Sequence, residues 1–253
     1  MYLRRLAPIA LLMSTAVALA GCGGSTAPAG TSPAGTPSAA ASATESPSPT
    51  PTPEARTYTR TELAGIIAGL RDSQDKRLTA IPAAELEKGI ASSKEMMSSV
   101  VITPKACAAV ADSNAQIPAG STYAAGGSQS AKMRAVTAVT LVAVKDPAVL
   151  AKNLESSAKV SKECTDFTIE VQGQKVTNKT VPLDVKTNAD KTYSTLMVQT
   201  LPNKETISTL VVMGVTGGFS ATAVATGPDV TKTSAAELTR LVNDAVSLSG
   251  ARG

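Results

Sequence analysis

The chain has 253 residues with 24 lysines and arginines against 20 aspartates and glutamates, so its formal net charge is +4. It contains no histidine, which excludes Ser-His-Asp and Cys-His catalysis, histidine zinc sites and histidine pH switches. Aromatic residues make up 2% of the chain, too few for a base-stacking platform, so no nucleic-acid partner is expected.

The N-terminus has the pattern of a secretory signal. A pair of arginines precedes an apolar stretch at residues 6–20, and this stretch is followed by Gly21 and Cys22. The stretch has about 15 residues, whereas a membrane span needs roughly 20. The run Leu-Ala-Gly-Cys at positions 19–22 resembles the lipobox of bacterial lipoproteins. The alternative is an ordinary signal peptide that happens to carry a cysteine.

The lipobox resemblance implies how the chain is processed and where it acts. Residues 1–21 would be the signal peptide, which is removed, and the thiol of Cys22 would receive a diacylglyceryl group. The acylated N-terminus would then bind the lipid bilayer and hold the protein on the extracytoplasmic face of the cell membrane.

Residues 22–56 predict a disordered stalk. After Cys22 they consist almost entirely of Gly, Ala, Ser, Thr and Pro, which cannot bury enough apolar surface to offset the entropy of ordering. Alternating prolines at residues 46–53 favour extended polyproline II, and Ser/Thr-rich tracts with proline are often O-glycosylated. Residues 57–253 remain, enough for one domain with its own core.

The two other cysteines, Cys107 and Cys164, predict one disulfide. Two cysteines remain once Cys22 is set aside, and an exported protein usually joins an even number of cysteines in disulfides. The alternative is two separate free thiols.

Helical patterns come first in the domain. Thr59 and Glu62 have capping-box spacing, and the apolar residues that follow recur at helical intervals. A second helix is expected to start near Pro82 and to run through Met97. Residues 106–111 predict a short helix that carries Cys107.

Strand patterns follow, interrupted by one helix. Asp146 and Pro147 predict the start of that helix, which ends just before Cys164. The expected strands are residues 121–128, 133–144, 167–171, 176–185, 193–201, 207–215 and 219–226. We expect a turn at Gly126-Gly127, an edge position for the strand with Pro182, and a C-terminal helix after Ser234. The order predicts an α+β fold, a mostly antiparallel sheet with helices packed on one face.

Few residues suggest chemistry in the domain. Ser73/Lys76 and Ser156/Lys159 have Ser-x-x-Lys spacing, but the partner motifs of penicillin-binding proteins are absent from the sequence, and exposed helix positions are the favoured interpretation. Five aspartates near turns and strand ends offer no preferred carboxylate pair: Asp112, Asp166, Asp184, Asp190 and Asp229. No catalytic, cofactor or metal site is predicted, and the chain is not expected to be an enzyme.

Four apolar or amphipathic residues could instead contact a ligand. Met96 and Met97 are flexible enough for an adaptable groove, although core packing is the favoured interpretation. Tyr123 and Tyr193 carry amphipathic rings that could anchor a ligand, although packing within strands is more common.

The order of elements resembles the PknH-like extracellular sensor domain of actinobacteria. The resemblance rests on the leading helices, on Pro104 and Cys107, on the Val-rich strand at 133–144, on the helix ending at Cys164 and on the late strands. That family carries more cysteines and a tryptophan, which are missing here. The resemblance implies a sensor or ligand-binding module for an unidentified small molecule, lipid or protein. The alternatives are a lipid or glycolipid carrier with a large apolar cavity and a structural protein-interaction lipoprotein.

Overall fold

The computed structural model describes residues 56–109, 117–130 and 134–250. The predicted signal peptide, Cys22 and nearly all of the predicted stalk lie outside the described residues, as do Asp112 and Met133. The interpretation of these positions therefore stays a prediction.

Local sequence signals account for the ends of the helices. Thr59 Oγ1 accepts from the Glu62 amide at 3.2 Å and Glu62 Oε2 accepts from the Thr59 amide at 2.7 Å, which completes the expected capping box. Asp146 caps the third helix by accepting from the Ala148 amide at 3.0 Å. The described helices are α1 (Arg60–Gly69), α2 (Ala83–Ser98), α3 (Pro147–Glu163) and α4 (Ala235–Ser249).

The strands of the described ranges form a nine-stranded sheet in which each pair of neighbours is antiparallel. They are β1 (Thr79–Ala80), β2 (Val101–Thr103), β3 (Thr122–Ser130), β4 (Ala135–Ala143), β5 (Asp166–Val171), β6 (Gln174–Pro182), β7 (Lys191–Thr200), β8 (Thr206–Thr216) and β9 (Phe219–Gly227). Their order across the sheet is β1-β3-β4-β9-β8-β7-β6-β5-β2, so the two earliest strands in sequence form the two opposite edges.

Two expectations about the strands are wrong. Gly126 and Gly127 do not form a turn but lie inside β3, because the missing side chains let β1 approach closely: a Cβ on Gly126 would stand 2.6 Å from the Thr79 carbonyl oxygen. Pro182 is not on an edge strand, since β6 lies between β7 and β5. It is tolerated because β5 pairs with β6 only as far as Lys179, so Pro182 has no β5 residue beside it.

The two faces of the sheet carry separate hydrophobic clusters. Side chains along a strand point alternately to opposite faces. In β4, Val139 and Leu141 belong to the cluster that includes α1 and α4, whereas Val142 belongs to a cluster that includes Leu150 and Leu154 of α3. We call the α1/α4 side the sealed face and the α3 side the second face.

The α+β class and the antiparallel sheet are as predicted, but the helices lie on both faces rather than on one. Central strands such as β8 are apolar at both alternating sets of positions. Leu210 and Val212 are completely buried on the sealed face, while Val211, Met213 and Val215 point to the second face. Each face therefore has apolar surface that packing helices can bury.

The predicted disulfide between Cys107 and Cys164 is present, with their Cα atoms 5.6 Å apart. Cys107 ends a short 3₁₀ helix at Lys105–Cys107, and residues 110 and 111 of the short helix expected here lie outside the described residues. The bond joins this helix to the end of α3, and both cysteines pack with Phe167 in a third buried cluster. It thus connects the segment after edge strand β2 to the second face.

Candidate ligand-binding face

Part of the second face keeps a partly exposed apolar surface, which we call the open face. It spans the three adjacent strands β4, β9 and β8. Along each strand, the residues of the open face alternate with buried residues of the sealed face. Val136 is 38% exposed, and the other residues of the open face are half-buried. The open face consists of Val136, Ala138, Thr140, Ile207, Thr209, Val211, Met213, Thr222, Val224 and Thr226.

The register of the strands places these side chains in rows across the sheet. Val224 of β9 lies between Ala138 of β4 and Val211 of β8. The neighbouring row places Thr226 between Val136 and Thr209, and the Thr209 and Thr226 hydroxyls are 3.2 Å apart. The result is a surface of methyl groups with a few hydroxyls among them.

Helix α3 explains why this region stays partly exposed. It packs on β6 and β7 and contacts β8 and β9 less extensively. Its residues Leu150 and Leu154 cover Val142, Val215 and Tyr193 at one end of the second face. Val211 and Met213 pack against this cluster, while the rest of the open face lies beyond the covered end, so its side chains are less completely buried.

Helix α2 also lies on the second face. Ile90 of α2 packs against the α3 cluster, and Leu86 and Met97 are half-buried. Outside this contact, Glu87 accepts from Arg60 Nη1 at 2.8 Å, and the Arg60 guanidinium lies 5.1 Å from the centre of the Tyr123 ring. These contacts attach α2 to α1 and to β3.

The chemistry of the open face limits what it can bind. None of its residues is ionisable or aromatic, so it offers neither charge complementarity to an ionic group nor a platform for stacking a ring. Valine, isoleucine and methionine side chains offer apolar contact, and the threonine hydroxyls can donate or accept hydrogen bonds. Such a surface suits the uncharged, apolar part of a ligand.

The residues singled out from the sequence lie mostly outside the open face. Tyr193 is buried beneath α3, and burial raises the pKa of its phenol although contacts with Ser161 and Thr195 oppose the shift. It therefore serves packing. Tyr123 is half-buried and contacts Arg60, while Met96 and Met97 are half-buried at the end of α2.

The two Ser-x-x-Lys pairs have different surroundings. Ser73 lies in an exposed loop, where its amide donates to Glu237 at 3.0 Å, so its pair has no helix to align it. Ser156 is exposed on α3, and Lys159 lies 3.9 Å from Glu163. These positions are solvated surface.

The described aspartates that the sequence singled out are all exposed. Asp166, Asp184 and Asp190 are exposed, and Asp229 forms an ion pair with Arg134 at 2.8 Å that holds the pKa of its carboxyl below the usual value. In the described ranges, no three His, Cys, Asp or Glu side chains are grouped closely enough to hold a metal ion. Over the same ranges, no helix is long and apolar enough to cross a membrane.

A second concave region, with a volume of 460 Å³, lies between the loop after α1 and the end of α4. Its arginines are already engaged: Arg71 donates to the Asp75 carbonyl at 2.7 Å, and Arg240 donates to Asp244 and to the Arg71 carbonyl. Asp72 is buried there. Burial raises the pKa of its carboxyl, but amide hydrogen bonds from Lys76 and Gln74 and the nearby Ser128 hydroxyl lower it below its usual value. The two arginines of this pocket are therefore engaged within the protein, whereas Asp72 Oδ2 is buried without a hydrogen-bond partner among the described residues.

Sequence reasoning allowed for a solvated or groove-lining face of the sheet but did not locate the open face. Residues 133–144 were expected as a central strand rich in Val and Thr, and residues 207–215 as a long apolar run. A run that is apolar on both sides predicts burial on both sides. Alternating Thr and Val at 222, 224 and 226 was the available signal of a half-exposed surface. How much of the surface is covered depends on where α3 packs, and the sequence pattern does not show that position.

The comparisons with known proteins identify structural similarity at low identity. No family model and no curated protein matches the chain. Among solved structures, the chain is similar to the extracellular domain of PknH from Mycobacterium tuberculosis, with 13% identity, a TM-score of 0.47 and coverage of 76% of this chain and 99% of that chain. It is also similar to a putative uncharacterized protein, the Rv0999 ortholog from Mycobacterium smegmatis, with 16% identity, a TM-score of 0.42 and coverage of 78% and 97%.

Proposed function

We propose that this protein is a lipid-anchored extracytoplasmic module that binds a ligand on its open face and does no catalysis. The main support for this proposal is the difference in side-chain burial between the two faces of the sheet. The sealed face buries Val139, Leu210 and Val212 completely, whereas the open face on the same strands leaves apolar side chains half-buried. A protein that used this sheet only as a core would gain stability by covering the second face as well.

The extracytoplasmic part of the proposal rests on the disulfide and on the lipobox. The Cys107–Cys164 bond suits an oxidising compartment outside the cytoplasm. Cys22 in the Leu-Ala-Gly-Cys run supplies the site for the anchor. A Cys22→Ser variant is expected to leave the membrane fraction and to keep the mass of an unacylated chain, as measured by fractionation and intact mass spectrometry. Retention in the membrane fraction would contradict the anchor.

The binding part is tested with Nile red, an uncharged apolar dye. The full chain is expected to increase the dye's fluorescence, and Val136→Lys is expected to weaken dye binding by about tenfold, equivalent to about 1.4 kcal/mol, because it places a charge in the open face. The matched control is Val101→Lys, since Val101 is 59% exposed in edge strand β2, away from the open face.

Equal dye binding by the two lysine variants and the parent protein would contradict binding at the open face. Circular dichroism of both variants establishes that the comparison is made on folded protein. The lipid-carrier alternative requires an apolar cavity on the order of 1,000 Å³, above the usual range of small-ligand pockets. Mass spectrometry of gently extracted protein tests it, since a carrier is expected to retain a co-purifying lipid.

A further inference from the structure

A hydrogen-bonded pair of side-chain amides lies next to the open face. Asn178 of β6 is opposite Gln199 of β7, and Gln199 is opposite Ile207 of the open face. Val198 packs against the cluster of the sealed face, so its neighbour Gln199 points to the second face, as Met197 does. The row Asn178–Gln199–Ile207 therefore leads from the interior of the second face to the margin of the open face.

Hydrogen bonds fix the direction in which both amides point. Asn178 is completely buried, and its Nδ2 donates to the Val176 carbonyl at 3.0 Å. Because a carbonyl oxygen can only accept, Asn178 must turn its amide nitrogen toward Val176 and its Oδ1 toward Gln199. Gln199 Nε2 accordingly donates to Asn178 Oδ1 at 3.0 Å. The Val176 carbonyl thus determines which end of the Gln199 amide is used inside the protein.

The other end of the Gln199 amide is an unused acceptor. Gln199 is half-buried, and its Oε1 accepts no hydrogen bond from the described residues. Within those residues, the buried side-chain atom that lacks a hydrogen bond is Asp72 Oδ2, so Gln199 Oε1 must be accessible to solvent. In the adjacent row of the open face, the hydroxyls of Thr209 and Thr226 are already 3.2 Å from each other. Gln199 therefore presents a positioned acceptor beside apolar side chains.

A second glutamine beside the open face lacks this support. Gln129 of β3 lies opposite Val136, at the other side of the open face. It is exposed and forms no hydrogen bond with the described residues, so its amide can rotate freely. A ligand that bound to Gln129 would have to order that side chain at a cost in entropy. For Gln199, Asn178 has already met this cost.

We propose that Gln199, positioned by Asn178, is the polar end of the ligand site, and that the ligand is an apolar chain carrying an uncharged hydrogen-bond donor such as a hydroxyl. The donor binds Gln199 Oε1, while the chain lies on Ile207 and the rows beyond it. This assignment names the ligand class for the proposed function and rests on it. A ligand whose polar end can only accept would place its oxygen against Oε1.

Competition between two isomers tests the assignment. Decanol and nonyl methyl ether contain the same atoms, but only the alcohol can donate a hydrogen bond. Each displaces Nile red from the full chain, and the ratio of their affinities is the measured quantity. Gln199→Leu is expected to shift this ratio about fivefold toward the ether, because it removes the acceptor of one hydrogen bond. An unchanged ratio would overturn the assignment.

Gln129→Leu is the matched control, since it removes an amide from the opposite side of the same face. It is expected to leave the ratio of alcohol to ether affinity as in the parent protein. A shift equal to that of Gln199→Leu would overturn the assignment, because it would show that the ratio reports general polarity around the open face.

The positioning role of Asn178 is tested with Asn178→Val. Without Asn178 Oδ1, the Gln199 amide can turn either end toward a ligand, so the ratio is expected to move toward the ether while Nile red still binds. A parent-like ratio would overturn the positioning role. Circular dichroism establishes that each variant is folded, and Gln199→Leu alone decides the assignment if Asn178→Val does not fold.

The same titrations separate this assignment from the proposed function. Nile red binding that Val136→Lys weakens, together with equal ratios in the parent and in Gln199→Leu, would support the open face as a binding surface and overturn the role of Gln199. Dye binding that neither isomer displaces would have the same consequence. Absence of dye binding by the parent protein would contradict both.

Discussion

At the scale of single residues, glycine decides how closely the edge of the sheet can pack. Gly126 lies in β3 opposite Ala80 of β1, and a Cβ there would stand 2.6 Å from the Thr79 carbonyl oxygen and would clash with Ile67 of α1. A glycine pair is also a frequent turn signal, which is why the sequence pattern predicted a turn. A turn and a closely packed strand both require the small size of glycine. Only the residues that surround the glycine in the folded protein distinguish the two roles.

Gly126→Ala is therefore expected to reduce the free energy of unfolding by roughly 1–3 kcal/mol, the usual cost of overpacking. Gly89→Ala in α2 is the control, since a Cβ there meets nothing within 4 Å, and it is expected to stabilise by about 0.5–1 kcal/mol through helix propensity. Urea unfolding monitored by circular dichroism measures both. A neutral Gly126→Ala would show that β1 can shift away from β3.

At the scale of elements, the helix starts were predictable and the partners of the helices were not. Thr59 and Asp146 are N-caps because each side chain accepts a hydrogen bond from a backbone amide two or three residues later. Those interactions depend on nearby residues alone. The division of α3 and α4 between the two faces depends on which strands lie beneath them. The sequence pattern therefore suggested helices on one face, whereas the structure has them on both.

Asp146→Ala is expected to reduce the free energy of unfolding by about 1 kcal/mol, because the Ala148 amide at the start of α3 loses its acceptor. Ser156→Ala, at an exposed position of the same helix, is expected to change it by less than about 0.5 kcal/mol. Thermal and urea unfolding give the comparison. Equal effects of the two variants would mean that water replaces the cap without cost.

At the scale of the whole molecule, the disulfide and the sheet order connect distant parts of the chain. Cys107 and Cys164 are 57 residues apart in sequence and share a buried cluster with Phe167. The sequence predicted the pair by counting, with two free thiols as the alternative, and the structure decides for the bond. The positions of β1 and β2 at opposite edges of the sheet likewise depend on residues far apart in sequence, and α2 connects these two strands.

The double variant Cys107→Ser/Cys164→Ser is expected to lose about 4 kcal/mol of stability on the chain-entropy model, because its unfolded chain gains the freedom of an open loop. Urea unfolding of the variant and of the oxidised parent measures the difference. The parent treated with a thiol reductant is expected to approach the variant. A difference below about 1 kcal/mol would show that packing around Phe167, rather than the cross-link, holds this region.

The sequence by itself determined the α+β order of elements, the N-caps of α1 and α3 and the candidate disulfide. These features depend on residues close together in the chain, or on the number of cysteines. Only the tertiary structure decided that β1 and β2 form opposite edges, that α2 packs on the second face, and that alternate residues of β4, β9 and β8 remain half-exposed. The physical reason is that burial of a side chain depends on which distant segment packs against it, and sequence spacing does not specify that partner.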